Sequence, residues 1–380
     1  MTWGLRTYAY NVFMGPWDDI TDIVRGLRLS SAVHGGLQAI DFDIADDWVD
    51  AYRWAYDHIG CKVYVFDNAV NPPVAEGTIF EPGISHDGNH VTAAGPWQSL
   101  CFSRVYNDAA TWYGGGTTYQ QIMAMLAAAY CPGVNADQSN IDDTGTANWP
   151  WQPTENKYAG DYIPYLASLS DAANAEWYFW LRSAPMAGTT PAEPIPYFKA
   201  ASSISQVYQC WRKDITNLNL APSLRDLAND VRVLYRSAAG VQNQTTSAQD
   251  VDSIARFGTR EAWAYDLGVA DATGAAQYRD ALLAKYKDPQ QSASFTVNTW
   301  AYDQWAGKWP LWRVIADFPV KFCVNDLIPD STVLGFTLDY KRTFITLAAE
   351  YDYDSNSLTI TPDTESNRAD AILARYRGLQ

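Results

Sequence analysis

The amino-acid sequence predicts a β-rich α+β protein of several domains: two barrel-like β domains and a small α/β domain between them. Three observations carry this reading. A chain of 380 residues exceeds one ordinary core and suits two to four domains. Short runs of β-forming residues, punctuated by Gly, Pro and Asn, recur towards both ends. Helical periodicity is confined to a few stretches, the clearest beginning near Asp271. Hydrophobic residues make up 47% and charged residues 18%, so a core is affordable and global disorder is excluded. Aromatics reach 14%, with 16 Trp and 24 Tyr, a content that suits β-rich domains and large interfaces.

Residues 1–110 read as the first β domain. A strand over 37–44 carries Leu37, Ala39, Phe42 and Ile44 in imperfect alternation. A second, over 63–66, is bounded by Asp67-Asn68 and by the turn signal Asn71-Pro72-Pro73. A third over 77–80 meets Pro82-Gly83, and Val91-Thr92 precedes Gly95, the rhythm of a small barrel.

Residues 111–204 read as the small α/β domain. Gly114-Gly115-Gly116 is expected to be a flexible joint. A helix over 118–130 ends at Cys131-Pro132-Gly133, and a polar loop follows through Trp149-Pro150-Trp151-Gln152-Pro153. A second helix is expected over 161–171, interrupted by Pro164, then an aromatic strand over 176–181.

Residues 205–362 read as the second β domain, entered through a Pro-rich connector over 185–196. After the segment 207–214, strands are expected over 231–235, 295–300, 312–316, 321–324, 334–339 and 343–351. An insertion over about 245–290 carries a helix capped by Asp271, with Ala275, Tyr278, Leu282 and Tyr286 at helical spacing and Pro289 as its stop. A short helix over 365–376 is expected in the segment 363–380. No short-period repeat is visible.

Composition narrows the function. With 27 basic against 43 acidic residues the formal net charge is −16, and no basic run offers the clustered cations that a duplex requires. The five cysteines, Cys61, Cys101, Cys131, Cys210 and Cys323, are scattered and form no C-x-x-C pair, so neither zinc nor a disulfide framework is indicated. They read as reduced, buried residues of a chain made in a cytoplasm. The N-terminus lacks a signal-peptide pattern, and the longest apolar run, 122–130, is too short for a membrane span.

Candidate chemistry is sparse. Asp41, Asp43, Asp46, Asp47 and Asp50 crowd one stretch, and paired carboxylates hydrolyse glycosides, yet a local cluster of one charge reads first as solvated turn residues. The histidines are His34, His58, His86 and His90; His86 and His90 have a helical metal-ligand spacing, but Gly83 and Gly88 forbid a helix there. The segment 114–118 lacks the Lys of a phosphate-cradling loop, and no G-x-S-x-G elbow occurs. Asn243-Gln244-Thr245 is a sequon by pattern only. Trp149 and Trp151, or Trp300, Trp305, Trp309 and Trp312, either stack on sugars or anchor interfaces and cores, and the second role is favoured. Arg260 beside Glu261 reads equally as a buried pair or a solvated face. No catalytic, cofactor-binding or metal-ligating residue is therefore predicted.

Two passages carry a resemblance. One is Leu224-X-Asp226-Leu227-X-Asn229-X-Val231-X-Val233-X-Tyr235, continued by Thr245-Thr246 and Asp252-Ser253-Ile254. The other runs Ser253-Ile254-X-X-Phe257-Gly258-X-Arg260-Glu261, then Asp271, Leu282-Leu283, Tyr286 and Pro289. Together they resemble the tail hub (baseplate hub) proteins of tailed bacteriophages. The order of elements is similar over most of the chain, while the sharp motifs lie within 217–290. The resemblance implies two tube-like β-barrel domains per chain and a homotrimer whose pseudo-sixfold ring closes the tail tube. It implies a distal tail or tail tube protein above, a tip, spike or fibre below, and the tape-measure protein and DNA in transit through a neutral to acidic lumen. It implies no catalysis and no cofactor, and a virion location after synthesis in the host cytoplasm. Some hubs carry a C-terminal peptidase or carbohydrate-binding extension; this chain stops at Gln380, just after the third expected domain, so none is expected here. The readings kept beside it are a carbohydrate-binding protein or glycoside hydrolase, and another tail component such as a distal tail protein.

Overall fold

The computed structural model of the chain describes residues 5–11, 15–45, 48–67, 72–85, 88–98, 113–116, 133–135, 137, 139–142, 149–151, 158–168, 176–185, 192–237, 240–265, 272–288, 290–325 and 342–362. The helices expected over 118–130 and 365–376, the strand over 334–339, and Asp46, Asp47, His86, Cys101, Cys131, Asp271 and Pro289 lie outside these residues.

The first part comprises β1 (Leu5–Asn11), β2 (Gly15–Asp19), β3 (Val24–Ala32), β4 (Gly35–Ile44), α1 (Trp48–Asp57), β5 (Lys62–Asp67), β6 (Ala75–Ser85) and β7 (Gly88–Ala94). The middle holds β8 (Tyr113–Gly116), β9 (Trp149–Trp151), α2 (Ala159–Ser168), β10 (Trp177–Arg182) and β11 (Ile195–Ala200). Next come β12 (Val207–Trp211), β13 (Ile215–Ser223), β14 (Asp230–Arg236), β15 (Gln242–Gln244), β16 (Ala248–Gln249), α3 (Val251–Phe257), β17 (Glu261–Tyr265) and α4 (Ala272–Tyr286). The chain then runs through β18 (Gln290–Val297), β19 (Ala301–Asp303), β20 (Lys308–Trp309), α5 (Trp312–Ala316), β21 (Lys321–Asn325), β22 (Arg342–Asp352) and β23 (Ser357–Pro362).

The centre of the fold is one continuous antiparallel run in the order β6-β7-β4-β3-β22-β23-β18-β13. Its first four strands come from the beginning of the chain and its last four from the end, and the two halves are wired alike. In the first, the β3–β4 pair leads through α1 and β5 to the β6–β7 hairpin, and β7 folds back onto β4. In the second, the β13–β18 pair leads through α5 and β21 to the β22–β23 hairpin, and β23 folds back onto β18.

Registers agree residue by residue. Glu81↔Thr92 through Ser85↔Gly88 corresponds to Ala348↔Thr361 through Asp352↔Ser357. Lys62↔Thr78 through Val65↔Ala75 corresponds to Lys321↔Ile345 through Val324↔Arg342. Two irregularities match too, though β3 has a further shift between Ser30 and Ser31 that β13 lacks. β6 bulges between Ile79 and Glu81 and β22 between Thr346 and Ala348; β3 skips between Arg25 and Arg28 and β13 between Thr216 and Asn219. The last two bulges hold a residue at positive φ, Gly26 (+60°) and Asn217 (+53°), the residue types that tolerate this conformation best.

Alternation sets the two faces. Leu29, Ile40, Phe42, Val91, Tyr351, Leu358, Ile360 and Phe295 point into a shared core that also takes Trp312, Val314 and Phe322. Phe42 and Phe295 hold equivalent places, opposite Val91 and Ile360. The β-rich α+β class is thus what the sequence indicates. Among the described residues no closed barrel forms, because β3 of the first half pairs with β22 of the second instead of closing on its own sheet.

Three elements differ from expectation. Residues 312–316 form α5 and not a strand, since a run of five mostly buried residues is too short for its period to distinguish the two. The first β segment contains α1, so Asp50 is a first-turn helix residue and not a turn residue. Gly114–Gly116 belong to β8, paired with β9, and so are strand and not joint. The strand at 231–235 is present as β14, but at the centre of a separate sheet with β15 and β16 antiparallel and β17 parallel to it. Helix α4 covers that sheet, with Ala275 against Val233. No described helix is long and apolar enough to cross a membrane.

Strand β10 reaches the large sheet through a short parallel contact of Trp180 and Leu181 with Gly35 and Gly36. Gly36 sits at φ +76°, and a Cβ there would come within 2.2 Å of the Leu181 carbonyl oxygen, so only glycine permits this approach.

Candidate assembly surfaces

The outward face of the long sheet is polar from β7 to β18. Across it run His90 and Thr92 on β7, Asp41 and Asp43 on β4, Arg25, Arg28 and Ser30 on β3, Glu350 and Asp352 on β22, Thr359 on β23, and Thr296 on β18. Thr92 Oγ1 donates to Asp41 Oδ1 at 2.5 Å, and His90 Nδ1 lies 3.0 Å from Asp43 Oδ1. Arg28 Nε donates to Asp352 Oδ2 at 3.2 Å across the junction of the halves. The Ser355 backbone N–H, then the Ser355 hydroxyl and Arg28, hold the Asp352 carboxyl below its usual range against its partial burial. Four carboxylates (Asp41, Asp43, Glu350, Asp352) face two guanidiniums (Arg25, Arg28) on this surface. These side chains are exposed or half-buried, and among the described residues no group of three or more potential ligands is placed to hold a metal. Asp41 and Asp43 thus sit on a solvated sheet face while Asp50 lies on α1, and His90, 47 residues from Asp43 in sequence, is its neighbour through the β4–β7 pairing.

Trp300, Trp305, Trp309 and Trp312 occupy different environments. Trp312 is buried in the core. Trp309 donates Nε1 to Asp303 Oδ2 at 2.9 Å, and Lys308 Nζ stands 4.1 Å over the Trp300 ring. Asp303 also accepts from the backbone N–H groups of Trp305 and Gly307, so its turn is pinned, and Trp305 at its tip is 80% exposed. A single projecting indole offers no coplanar row of rings for a glycan. Trp149 and Trp151 lie on β9, opposite Gly116 and Tyr113.

The motif residues of the resemblance hold the small sheet together. Asn229, fully buried, donates Nδ2 to Ser253 Oγ (3.1 Å) and to the Gly258 carbonyl (2.8 Å), and accepts from the Arg260 N–H (2.7 Å). Asp250 caps α3 by accepting from the Ser253 N–H at 2.9 Å and pairs with Lys287 at 2.9 Å, contacts that hold its carboxyl below the usual range. Ser253 Oγ donates in turn to the Lys287 carbonyl. Arg260 and Glu261 are both exposed. The spacing that marks this passage in the sequence therefore serves a hydrogen-bonded knot.

Two buried ionisable groups escaped sequence reasoning. Glu76 on β6 is pushed up to about 7 by burial, against the opposing pull of Lys62 and a hydrogen bond from Ser183. His34, in the β3–β4 turn, is lowered to about 4 by burial and by Lys285. No sequence pattern signals them, because groups distant in the chain enclose them, Ser183 for Glu76 and Lys285 for His34. Cys61, Cys210 and Cys323 are buried free thiols.

No protein-family model matches the chain, and a search of curated proteins returns no match. Solved structures match nearly its whole length. Prophage tail protein gp18 of Listeria monocytogenes EGD-e has a TM-score of 0.56 at 11% identity, covering 98% of each chain. A tail protein of Neisseria meningitidis MC58 has a TM-score of 0.60 at 12% identity, over 95% of this chain and 97% of that one. The 43 kDa tail protein of prophage MuSo2 from Shewanella oneidensis has a TM-score of 0.58 at 13% identity, over 95% and 96%. At these identities the likeness is one of fold.

Proposed function

We propose that this chain is a structural tail hub of a tailed phage or prophage-derived particle, working as a homotrimeric ring and not as an enzyme. The observation that carries the reading is the duplicated half-sheet and the way its halves join. Within one chain, the last strand of the first half (β3) pairs with the first strand of the second half (β22). The same rule applied between copies pairs β13 of one chain with β6 of the next. Transferring the registers places Glu81 opposite Ser223 and Ser85 opposite Asn219. On β6 the ladder to β5 ends at Thr78, just before the bulge, as the ladder of β22 to β21 ends at Ile345.

A heterologous contact of this kind closes into a ring when its rotation allows. Three chains bring six alike halves, which suits a sixfold tube above and a threefold tip below. Pro82 and Pro222 would meet at the second of the five pairs of the new ladder, and prolines at such edges suppress indiscriminate pairing before assembly. The polar, net acidic sheet face would line the bore, where carboxylates repel the DNA backbone and ease its passage. A distal tail or tail tube protein, the tape-measure protein and a tip or fibre protein are the proposed neighbours in the virion. The fold likeness to three tail proteins supports this reading. A particle reconstruction tests it: three copies per ring are expected, with Asp and Glu outnumbering Lys and Arg at the axis. Six or twelve copies, or a net positive bore, would refute it.

A further inference from the structure

We infer that the outer stripe of α1 is the seat on which the next copy of this chain docks, an inference that rests on the ring reading above. Helices α1 and α5 are counterparts, since each links its half's first pair of strands to the strand before the hairpin. Their surroundings differ. Around α5, Leu311, Trp312, Val314 and Ile315 are between 0% and 5% exposed, and the helix lies against both β22 of its own half and β3 of the other. Helix α5 is therefore sealed by the junction between halves.

Helix α1 turns Ala51 and Ala55 inward, with Trp54 beside Phe42, and packs on β6 and β7. Its other side carries Val49 (52% exposed), Tyr52 (57%) and Tyr56 (69%), continued by Ile59 (52%) in the following turn. The spacing of three, four and three is that of a helix stripe buried against a neighbour. Tyr52 and Tyr56 stack on one another with ring centroids 6.5 Å apart. Phe80, at the bulge of β6 where the inter-copy ladder would begin, is 41% exposed; its counterpart Leu347 packs against the core. The β3–β22 junction covers α5, so the equivalent β13–β6 junction between copies covers α1. The occupant is the β13-bearing half of a second copy.

Sedimentation equilibrium of the full chain over a concentration series, wild type beside Tyr52→Glu/Tyr56→Glu, tests this. We expect wild-type mass to rise towards three chains. The variant, unchanged in circular dichroism and melting, should associate about 100-fold more weakly, tenfold for each aromatic anchor. A photo-crosslinking phenylalanine analogue at position 56 should couple to peptides from 215–223 of another copy. Equal association of variant and wild type, or crosslinks to another surface, overturns the inference and leaves the ring standing. A wild type monomeric at every concentration, with no intermolecular crosslink in assembled particles, overturns both.

Discussion

Replacing Glu76 by glutamine should remove a pH dependence that burial builds into the fold. Glu76 stands opposite Tyr64 in the β5–β6 ladder, is 3% exposed, and has one carboxylate oxygen without a hydrogen-bond partner. Burial raises its pKa from 4.5 to about 7. Each tenfold change in proton affinity is worth about 1.4 kcal/mol, so the difference amounts to about 3 kcal/mol. Because the folded value is raised, the folded state holds the proton more tightly than the unfolded one. Stability from this group is complete below pH 4.5, is lost as pH rises through the window from 4.5 to 7, and is flat above it. Glutamine has the same shape and no charge in either state. The Glu76→Gln protein should match the wild type near pH 4.5 and exceed it by about 3 kcal/mol at pH 8. Urea unfolding of both proteins at steps between these pH values gives the difference directly, and other titrating groups cancel in the subtraction. Parallel stability curves, with no widening gap above pH 5, would show that Glu76 is not held protonated by burial.

Three further outcomes follow from named contacts. Gly36→Ala should destabilise by about 2–3 kcal/mol or more, from positive φ and the close Leu181 carbonyl, read as a lowered melting temperature; an unchanged melt would mean that β10 docks elsewhere. Asn229→Ala should cost about 1–3 kcal/mol by removing a buried amide and its bonds to Ser253, Gly258 and Arg260, and limited proteolysis should then cut first within 224–288. Trp305→Ala should shift stability by less than about 0.5 kcal/mol, whereas Trp309→Ala should cost more than 1 kcal/mol through its bond to Asp303; equal effects would contradict the pinned turn.

The strands at 63–66, 321–324 and 343–351 were legible because β-formers were bounded by turn residues, and the hydrogen-bonding motif around Asn229 and Ser253 was legible as a pattern. Its role was not, because Asn229 meets Ser253, Gly258 and Arg260 only once three segments fold together. The same limit hid His90 beside Asp43 and the burial of Glu76.

The sequence by itself determined a β-rich α+β chain with an acidic balance and no evident catalytic constellation, since these depend on composition and local period. Two alike β domains were already expected from the resemblance; only the tertiary structure showed how they match strand for strand and join in one sheet. The duplication is written in registers, bulges and positive-φ positions, while the residues at matching places are mostly different: Asp43 and Thr296, His90 and Thr359, Gly26 and Asn217. A sheet asks of each position only that it face core or solvent and tolerate its backbone angles, and many side chains meet those terms. Which strand then pairs with which is decided by shape and burial between segments more than 300 residues apart, as in Arg28 and Asp352, and no local pattern records that choice.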